Sequence, residues 1–282
     1  MKSFTRDLAV WIENNLEKKV LLDDVSVKAG YSKWYLQRVF RAETGITLAT
    51  YIRNRKLYRA AMLLKMTRLP VIDITDRLGF SSQQTFNRTF KRHFGLAPGQ
   101  YRASPFWHFS GLMPALSGLK PELPVPQLIT VRLPRASGIS LSYTVSSAKL
   151  DNVHYHIERR RELFVRADKL LRGTAALSVA QAFEPLSNNA DQIKFSLTFT
   201  TVTQESSTAL NNSAPFLRFP FCGTPDQLTE MQVSIYQHVM PFRQEARREG
   251  HDFFVIENSA SESEPETFLR GFYYVPVTDT KQ

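Results

Sequence analysis

The sequence predicts a multidomain protein with an all-α first part and an α+β second part. Three observations support this division: a pattern that occurs twice within the first hundred residues, a positive charge concentrated in the same region, and a proline-rich stretch after it. The predicted boundaries are an all-α domain over residues 1–107, a linker over residues 108–126 and an α+β domain over residues 127–282.

The repeated pattern pairs residues of similar chemical type about fifty positions apart. Residues 24–32 recur at residues 73–81 with an offset of 49, and one extra serine then raises the offset to 50. The pairs that follow are Leu36 with Phe86, Arg38 with Arg88, Phe40 with Phe90, Gly45 with Gly95, and Tyr51 with Tyr101. A match of this length predicts a duplicated structural unit.

Each copy has the signals of a helix, a short turn and a second helix. Gly30 and Gly79 stand where the first helix should end, because the residue after a helix often adopts a left-handed conformation that glycine tolerates. Ser32 and Ser82 follow as N-cap candidates. Such helix-turn-helix units place the second helix in a major groove. The predicted units span residues 21–44 and 70–95, with second helices over residues 33–43 and 83–94.

One face of each second helix carries amide and basic side chains. Leu36, Val39 and Phe40 recur at helical spacing and are predicted to face the core, as are Phe86 and Phe90. Arginine can bond guanine with two hydrogen bonds, and Gln or Asn can bond adenine in the same way. The alternative is the solvated face of an ordinary amphipathic helix. The polar face carries Trp34, Gln37, Arg38 and Arg41 in the first copy, and Gln84, Asn87, Arg88 and Lys91 in the second.

Positive charge is concentrated in the region of the repeat. Residues 1–110 contain 19 Lys+Arg and 8 Asp+Glu, whereas residues 111–282 contain 17 and 18, so nearly all of the net charge of +10 lies on the first part. A local basic surface predicts a polyanion partner, and the repeat favours double-stranded DNA. A membrane surface is the competing partner, but no lipidation motif or strongly apolar helix face supports it.

A long helix is predicted between the two copies, over residues 48–66, and the sequence Leu69-Pro70 ends it. At about 1.5 Å per residue this helix would span roughly 28 Å. Successive major-groove faces of B-DNA are separated by ~34 Å. One chain is therefore predicted to read two adjacent major-groove segments.

The segments AGYSKWYLQRVF at residues 29–40 and GFSSQQTFNRTFK at residues 79–91 resemble the AraC/XylS regulators, and within them the MarA/SoxS/Rob group. The resemblance covers residues 3–107. It implies a sequence-specific transcriptional regulator, an activator of stress or multidrug-resistance genes that works beside RNA polymerase, in the cytoplasm and on the nucleoid. It also implies base contacts by the residues aligned with Trp34, Gln37 and Arg38, and with Gln83, Gln84, Thr85 and Arg88.

The second part begins after a stretch that is rich in proline and glycine. Residues 105–126 hold five of the chain's 15 prolines, which predicts a linker. Strands are then predicted over residues 128–133, 137–144, 175–183, 193–202, 216–221, 253–257 and 267–277. Helices are predicted over residues 151–171 and 225–249, with Pro241 kinking or ending the second. This order predicts an α+β domain of two related halves, with an antiparallel sheet and two long helices.

That order, with GHDFFVIE at residues 250–257 and FLRGFYYVPV at residues 268–277, resembles the GyrI-like effector-binding fold. Rob-like members of the group also place the DNA-binding part first. The resemblance implies a groove between the two halves for a small apolar or amphiphilic molecule. Core packing of the aromatic residues and a solvated strand end are the alternatives for its candidate ligand-binding residues, which are Tyr143, Tyr236, Phe254 and Glu257.

The sequence offers little for catalysis, so we expect no enzyme, no catalytic residue, no cofactor and no metal. Cys222 is the single cysteine, which fits a reducing cytoplasm, and its neighbours predict a buried structural thiol. His154 and His156 lie on different faces of a predicted helix, which suits one metal poorly. No HExxH, GxSxG or phosphate-loop motif occurs, and no signal peptide or membrane span is expected.

Two alternatives remain for the second part. It can be a small-molecule hydrolase tethered to DNA, for which Glu257 is nearly the only candidate acid. It can also be a protein-interaction module that binds no ligand and sequesters the regulator. The leading hypothesis is a domain that senses a small molecule.

Overall fold

The computed structural model describes residues 3–17, 20, 22–109, 111–116, 122–171, 176–201, 213–257 and 269–279. Their contacts form two compact units. The first unit holds the described residues of 1–104, 109–121 and 240–242. The second unit holds those of 105–108, 122–239 and 243–282.

The first unit is built from helices. Helices α2 and α3 form the first helix-turn-helix, here called head 1, and α5 and α6 form the second, head 2; α4 joins them. The helices predicted over residues 48–66 and 83–94 are confirmed at both ends, and α3 runs one residue further than predicted. The helices are α1 (Ser3–Glu13), α2 (Leu22–Ala29), α3 (Lys33–Thr44), α4 (Leu48–Met66), α5 (Val71–Arg77), α6 (Gln83–Phe94) and α7 (Pro98–Ala103).

The core of the first unit surrounds α4, which is buried on nearly every side. Leu36, Phe40, Phe86 and Phe90 are buried as predicted, whereas Val39 is half-buried. Apolar side chains removed from water in this way supply the main driving force for folding.

Two buried arginines of α4 pair with acidic residues from the start of the chain. Arg55 Nε and Nη2 donate to the two carboxylate oxygens of Glu13 at 2.8 and 2.7 Å. Arg59 Nε and Nη2 both donate to Glu17 Oε1, at 3.0 and 2.7 Å. A buried guanidinium needs such a partner, because an unpaired buried charge is strongly destabilising.

The structure divides the chain differently from the predicted linker over residues 108–126. Phe106–Trp107 forms a short strand, β1, which pairs with β7 (Arg247–Arg248) in the second unit. Within 109–116, Arg55 Nη1 donates to the carbonyl oxygen of Met113 and the Leu116 amide donates to the hydroxyl of Tyr51. Polar groups of buried side chains thus hold a segment that proline content alone marked as a linker. Residues 110 and 117–121 lie outside the described residues.

The second unit contains a seven-stranded sheet in the order β2-β6-β9-β8-β4-β5-β3, with antiparallel neighbours throughout. The antiparallel sheet predicted from the sequence is confirmed. Parts of three predicted strands, residues 175, 202 and 267–268, lie outside the described residues. The elements are β2 (Gln127–Val131), β3 (Ile139–Ser146), α8 (Val153–Leu171), β4 (Ala176–Pro185), β5 (Gln192–Thr201), β6 (Ala214–Gly223), α9 (Pro225–His238), β8 (Asp252–Ile256) and β9 (Leu269–Pro276).

The second unit consists of two halves with the same order of elements. One half is β3-α8-β4-β5, the other is β6-α9-β8-β9, and the sheet joins them through the pair of β4 and β8. The two helices pack on each other. Helix α9 ends at His238, eleven residues before the predicted end. Pro241 lacks the amide hydrogen that a continuing helix needs, so the chain turns there and then enters β7.

The prediction of a buried thiol at Cys222 is wrong, because this residue is exposed. Successive side chains of a strand point to opposite faces of the sheet. Phe221 packs its ring against Phe254 at a centroid distance of 5.7 Å. Its neighbour Cys222 therefore points to the other face of β6.

Candidate nucleic-acid interface

The two heads are built with the same local geometry at their turns. Gly30 and Gly79 adopt left-handed backbone angles, with φ of 70° and 65°. The N-cap serines Ser32 and Ser82 then accept hydrogen bonds from backbone amides three residues on, at 3.3 and 3.1 Å. These caps satisfy amides that the first turn of a helix leaves without partners. The second helices of the two heads, α3 and α6, consequently start from the same kind of turn.

Solvent exposure also repeats between the heads. The pattern of buried, half-buried and exposed residues over 31–49 recurs without a change over 81–99. Both helices end at a glycine in the left-handed region, Gly45 with φ of 80° and Gly95 with φ of 75°. The duplication predicted from the sequence therefore applies to the exposed residues as well as to the buried ones.

In head 1 the four predicted contact residues lie together. Trp34 is 68% exposed, and the guanidinium carbon of Arg38 lies 4.8 Å from the centroid of the Trp34 ring. A guanidinium over an aromatic face gains a cation–π attraction that orients both groups. A shallow cavity of about 540 Å³ runs along this surface, lined by Trp34, Gln37, Arg38, Arg41, Ala42 and Thr47.

In head 2 the predicted contact residues form a polar row without an aromatic side chain. Gln83, Gln84, Arg88 and Lys91 are exposed, and Thr85 is half-buried. The Thr85 hydroxyl lies 3.0 Å from the Ser82 hydroxyl and 3.4 Å from that of Ser81. This small network fixes the first turn of α6, where a recognition helix meets base edges.

Two amide side chains at equivalent positions of the heads share an unusual feature. The side-chain oxygens of Gln37 and Asn87 are buried and have no hydrogen-bond partner among the described residues. A buried acceptor without a partner is destabilising. The two heads therefore share this internal feature as well as their turns.

The residues predicted to bind a ligand in the second unit lie in different surroundings. Tyr143 on β3 and Phe254 on β8 are buried, whereas Tyr236 on α9 is half-buried and its hydroxyl bonds to Asp252. Glu257 lies exposed just after β8, with its amide bonded to the carbonyl oxygen of Arg270. The structure does not bring Glu257 together with the three aromatic residues.

Tyr143 belongs to a buried polar cluster with α8. The Tyr143 hydroxyl donates to Nδ1 of His156 at 2.8 Å and accepts from Nε of Arg160 at 3.1 Å. Nε2 of His156 donates to the carbonyl oxygen of Leu150, which leaves Nδ1 free of a proton. Burial, with the nearby Arg160 charge, lowers the pKa of His156 to about 4. Arg160 also donates to the amide oxygen of Gln232.

Tyr236 belongs to a second buried cluster, centred on Asp252. The hydroxyls of Tyr236 and Tyr273 each donate to Asp252 Oδ2 at 2.6 Å, and Arg247 donates to Oδ1 at 2.9 Å. Burial raises the pKa of both tyrosines well above its ordinary value. No pattern in the sequence predicted this cluster, because Arg247 and Asp252 look like ordinary surface residues of a turn.

The described residues lack the features of a metal site and of a membrane-spanning helix. No group of three or more His, Cys, Asp and Glu side chains among them is arranged to hold a metal ion. Of the helices described above, none has both the length and the apolar composition that crossing a bilayer requires.

Comparisons with known proteins agree with the geometry of the first unit. Residues 25–104 match the family model of a helix-turn-helix domain. The chain is 38% identical to the right origin-binding protein of Escherichia coli K12 over 152 residues, which is 54% of this chain and 53% of that protein. The chain thus spans about half the length of that relative.

Two further relatives are covered over most of their length. The multiple antibiotic resistance protein MarA of Salmonella typhimurium is 50% identical over 92 residues, which is 33% of this chain and 72% of MarA. The F1 operon positive regulatory protein of Yersinia pestis is 32% identical over 250 residues, which is 88% of this chain and 80% of that protein. The chain belongs to the AraC family of helix-turn-helix transcriptional regulators, among its Rob- and MarA-like members.

Proposed function

We propose that the protein binds double-stranded DNA with α3 and α6 in two adjacent major-groove segments and thereby regulates transcription. The repeated exposure pattern of the two heads carries this proposal, because it presents amide and basic side chains at equivalent places. The proposed base contacts are Trp34, Gln37, Arg38 and Arg41 from head 1, and Gln83, Gln84, Thr85, Arg88 and Lys91 from head 2.

Arginine substitutions test the reading of bases. With a site selected from random duplexes, Arg38→Ala or Arg88→Ala should weaken binding by about 1–3 kcal/mol, because each removes a side chain able to bond guanine twice. Binding to random DNA should weaken less. Fluorescence anisotropy at fixed salt measures both. Arg166→Ala, which removes an exposed charge from α8, is the matched control.

Equal losses on selected and random DNA would contradict the proposed roles of the two arginines. Footprinting tests the two-segment arrangement separately. We expect protection of two groove segments about one helical turn apart, ~34 Å along the axis. Protection of a single segment would contradict binding by both heads.

We propose further that the protein activates transcription, in contact with RNA polymerase. The name of the Yersinia pestis relative, a positive regulatory protein, supports this direction. Transcription with purified polymerase from a promoter that carries the selected site is the test. A fall in transcript on adding the protein would contradict activation.

We propose that the second unit regulates this activity by binding a small apolar or amphiphilic molecule, as a GyrI-like domain. Two related halves joined at β4 and β8 support the proposal. Buried polar groups with incomplete pairing also support the proposal. The Arg160 guanidinium is buried beside neutral partners, and the Gln181 side-chain oxygen has no hydrogen-bond partner among the described residues. A thermal-shift screen of amphiphilic compounds tests this, because a ligand of the folded state raises the melting temperature.

A further inference from the structure

A cleft of about 510 Å³ lies between the two heads, within the first unit, and is called the central cleft here. Lys33 of head 1 and Thr85 of head 2 both line it. Each belongs to the first turn of a recognition helix, the end that enters the groove. The charged and hydroxyl-bearing residues of its lining are Asp23, Lys33, Arg53, Lys56, Ser81 and Thr85.

The floor of the central cleft is one stripe of α4. Ala49, Ile52, Arg53 and Lys56 are spaced by three and four residues and therefore share a face of the helix. Arg53 is exposed, whereas only 7% of Lys56 is exposed. The acidic residue of the lining, Asp23, is paired with Lys33.

Lys56 differs from the other buried cations of α4. Arg55 and Arg59 have Glu13 and Glu17 as partners, but Lys56 has no ion pair or hydrogen bond from its ammonium group to any residue that the structure describes. Burial lowers the pKa of Lys56, and no neighbouring carboxylate opposes the shift. Most of the Lys56 side chain is withdrawn from water, which makes its charge costly to keep, so the fold retains at this position a charge that it does not itself neutralise.

We propose that the central cleft binds a backbone phosphate of DNA between the two groove segments, with Lys56 and Arg53 as its cationic ligands. This inference rests on the proposed function. Two major-groove segments on one side of a duplex are separated by a minor groove, whose flanking phosphates face the protein. The hydroxyls of Ser81 and Thr85 line the same cleft and can donate to phosphate oxygens.

A phosphate held at this place would fix the register of the two heads. Phosphate contacts carry no sequence information, but they set the position and orientation of a protein on the duplex. Lys56 stands on the helix that joins the heads, so a phosphate bound there ties their spacing to that of the DNA backbone. Affinity for every sequence should therefore depend on Lys56 to a similar degree.

The test measures salt dependence with the full chain. Lys56→Met should weaken binding about tenfold on both the selected and a random duplex, because a charge-assisted contact is lost. The plot of log K against log salt between about 50 and 200 mM should become less steep by about 0.9. The melting temperature of the free protein should stay the same or rise, because methionine keeps the apolar stem of the side chain and removes a poorly solvated charge.

Three further variants sharpen the test. Arg53→Gln should reduce the salt slope in the same way, and its exposed position makes a folding defect implausible as the cause. Lys56→Arg keeps the charge and should keep the slope. Arg166→Gln removes a charge from α8 and should leave the slope unchanged.

Distinct results would overturn the inference and the proposed function. If wild type prefers its site while Lys56→Met and Arg53→Gln keep the wild-type slope, the cleft does not hold a DNA phosphate. If that slope is unchanged and inorganic phosphate still raises the melting temperature of wild type but not of Lys56→Met, the cleft serves free phosphate instead of DNA. If wild type shows no preference for any duplex, the proposed function itself is wrong.

Discussion

Head 1 and head 2 share a scaffold but differ in the surface that each presents. Their turn glycines, N-cap serines and exposure patterns are equivalent. Trp34 of head 1, however, corresponds to Gln84 of head 2, so one head offers an aromatic ring and the other an amide. The turn glycines, caps and buried residues that repeat specify the fold of a head, and exposed positions that differ, such as 34 and 84, give the two heads different surfaces.

The interiors of the heads differ as well. Phe90 of head 2 contacts Phe86, Phe94 and Tyr101, with ring centroids 5.5, 4.5 and 5.3 Å away. Its counterpart Phe40 contacts one ring among the described residues, that of Tyr51, at 5.3 Å. Head 2 is therefore held by an aromatic cluster, whereas the corresponding tyrosine of head 1 donates a hydrogen bond to Glu13 at 2.7 Å.

The largest expected effect concerns these interiors. Phe90→Ala should lower the free energy of unfolding of the first unit by about 3–5 kcal/mol, because it removes a fully buried ring. The loss for Phe40→Ala should lie near the lower end of that range, because Phe40 forms fewer aromatic pairs than Phe90 and each pair adds about 0.5–1.5 kcal/mol. Urea unfolding followed by far-UV circular dichroism compares the two. A larger loss for Phe40→Ala would contradict the difference in packing.

An intermediate effect, on DNA affinity, is expected for the exposed faces of α3 and α6. Trp34→Ala should weaken binding to the selected site by about 1–3 kcal/mol, because it removes an apolar contact and the ring that orients Arg38. Gln84→Ala should cost less, because no side chain is stacked on it. Trp34→Gln makes the two positions alike. If Trp34→Gln binds the original site as well as wild type does, the aromatic ring has no part in recognition.

The smallest effect concerns the shared caps. Ser32→Ala and Ser82→Ala should each lower the stability of the first unit by ~1 kcal/mol, because each leaves a helix amide without its acceptor. The loss at Ser82 should be somewhat larger, because its hydroxyl also bonds that of Thr85. Ser32→Thr and Ser82→Thr keep the acceptor and serve as controls. Thermal unfolding that shows no loss in either alanine variant would contradict a role for the caps.

Local signals in the sequence determined most of the fold. Glycine and serine mark the turns of both heads because their conformational and capping preferences act within a few residues. Helical periodicity placed Leu36, Phe40, Phe86 and Phe90 in the core. The same reasoning predicted the antiparallel sheet and the order of its elements. The contact residues of α3 and α6 stay a prediction for the experiments above.

Contacts between distant segments were decided only in the tertiary structure. Sequence alone did not show that residues 105–108 group with the second unit, nor that Asp252 gathers Arg247, Tyr236 and Tyr273. Likewise, Arg55, Lys56 and Arg59 look alike as basic residues of one helix. Arg55 and Arg59 meet glutamates, whereas Lys56 faces a cleft. Whether a charged side chain forms an ion pair depends on which distant segment packs beside it. Local periodicity in the sequence does not predict that packing.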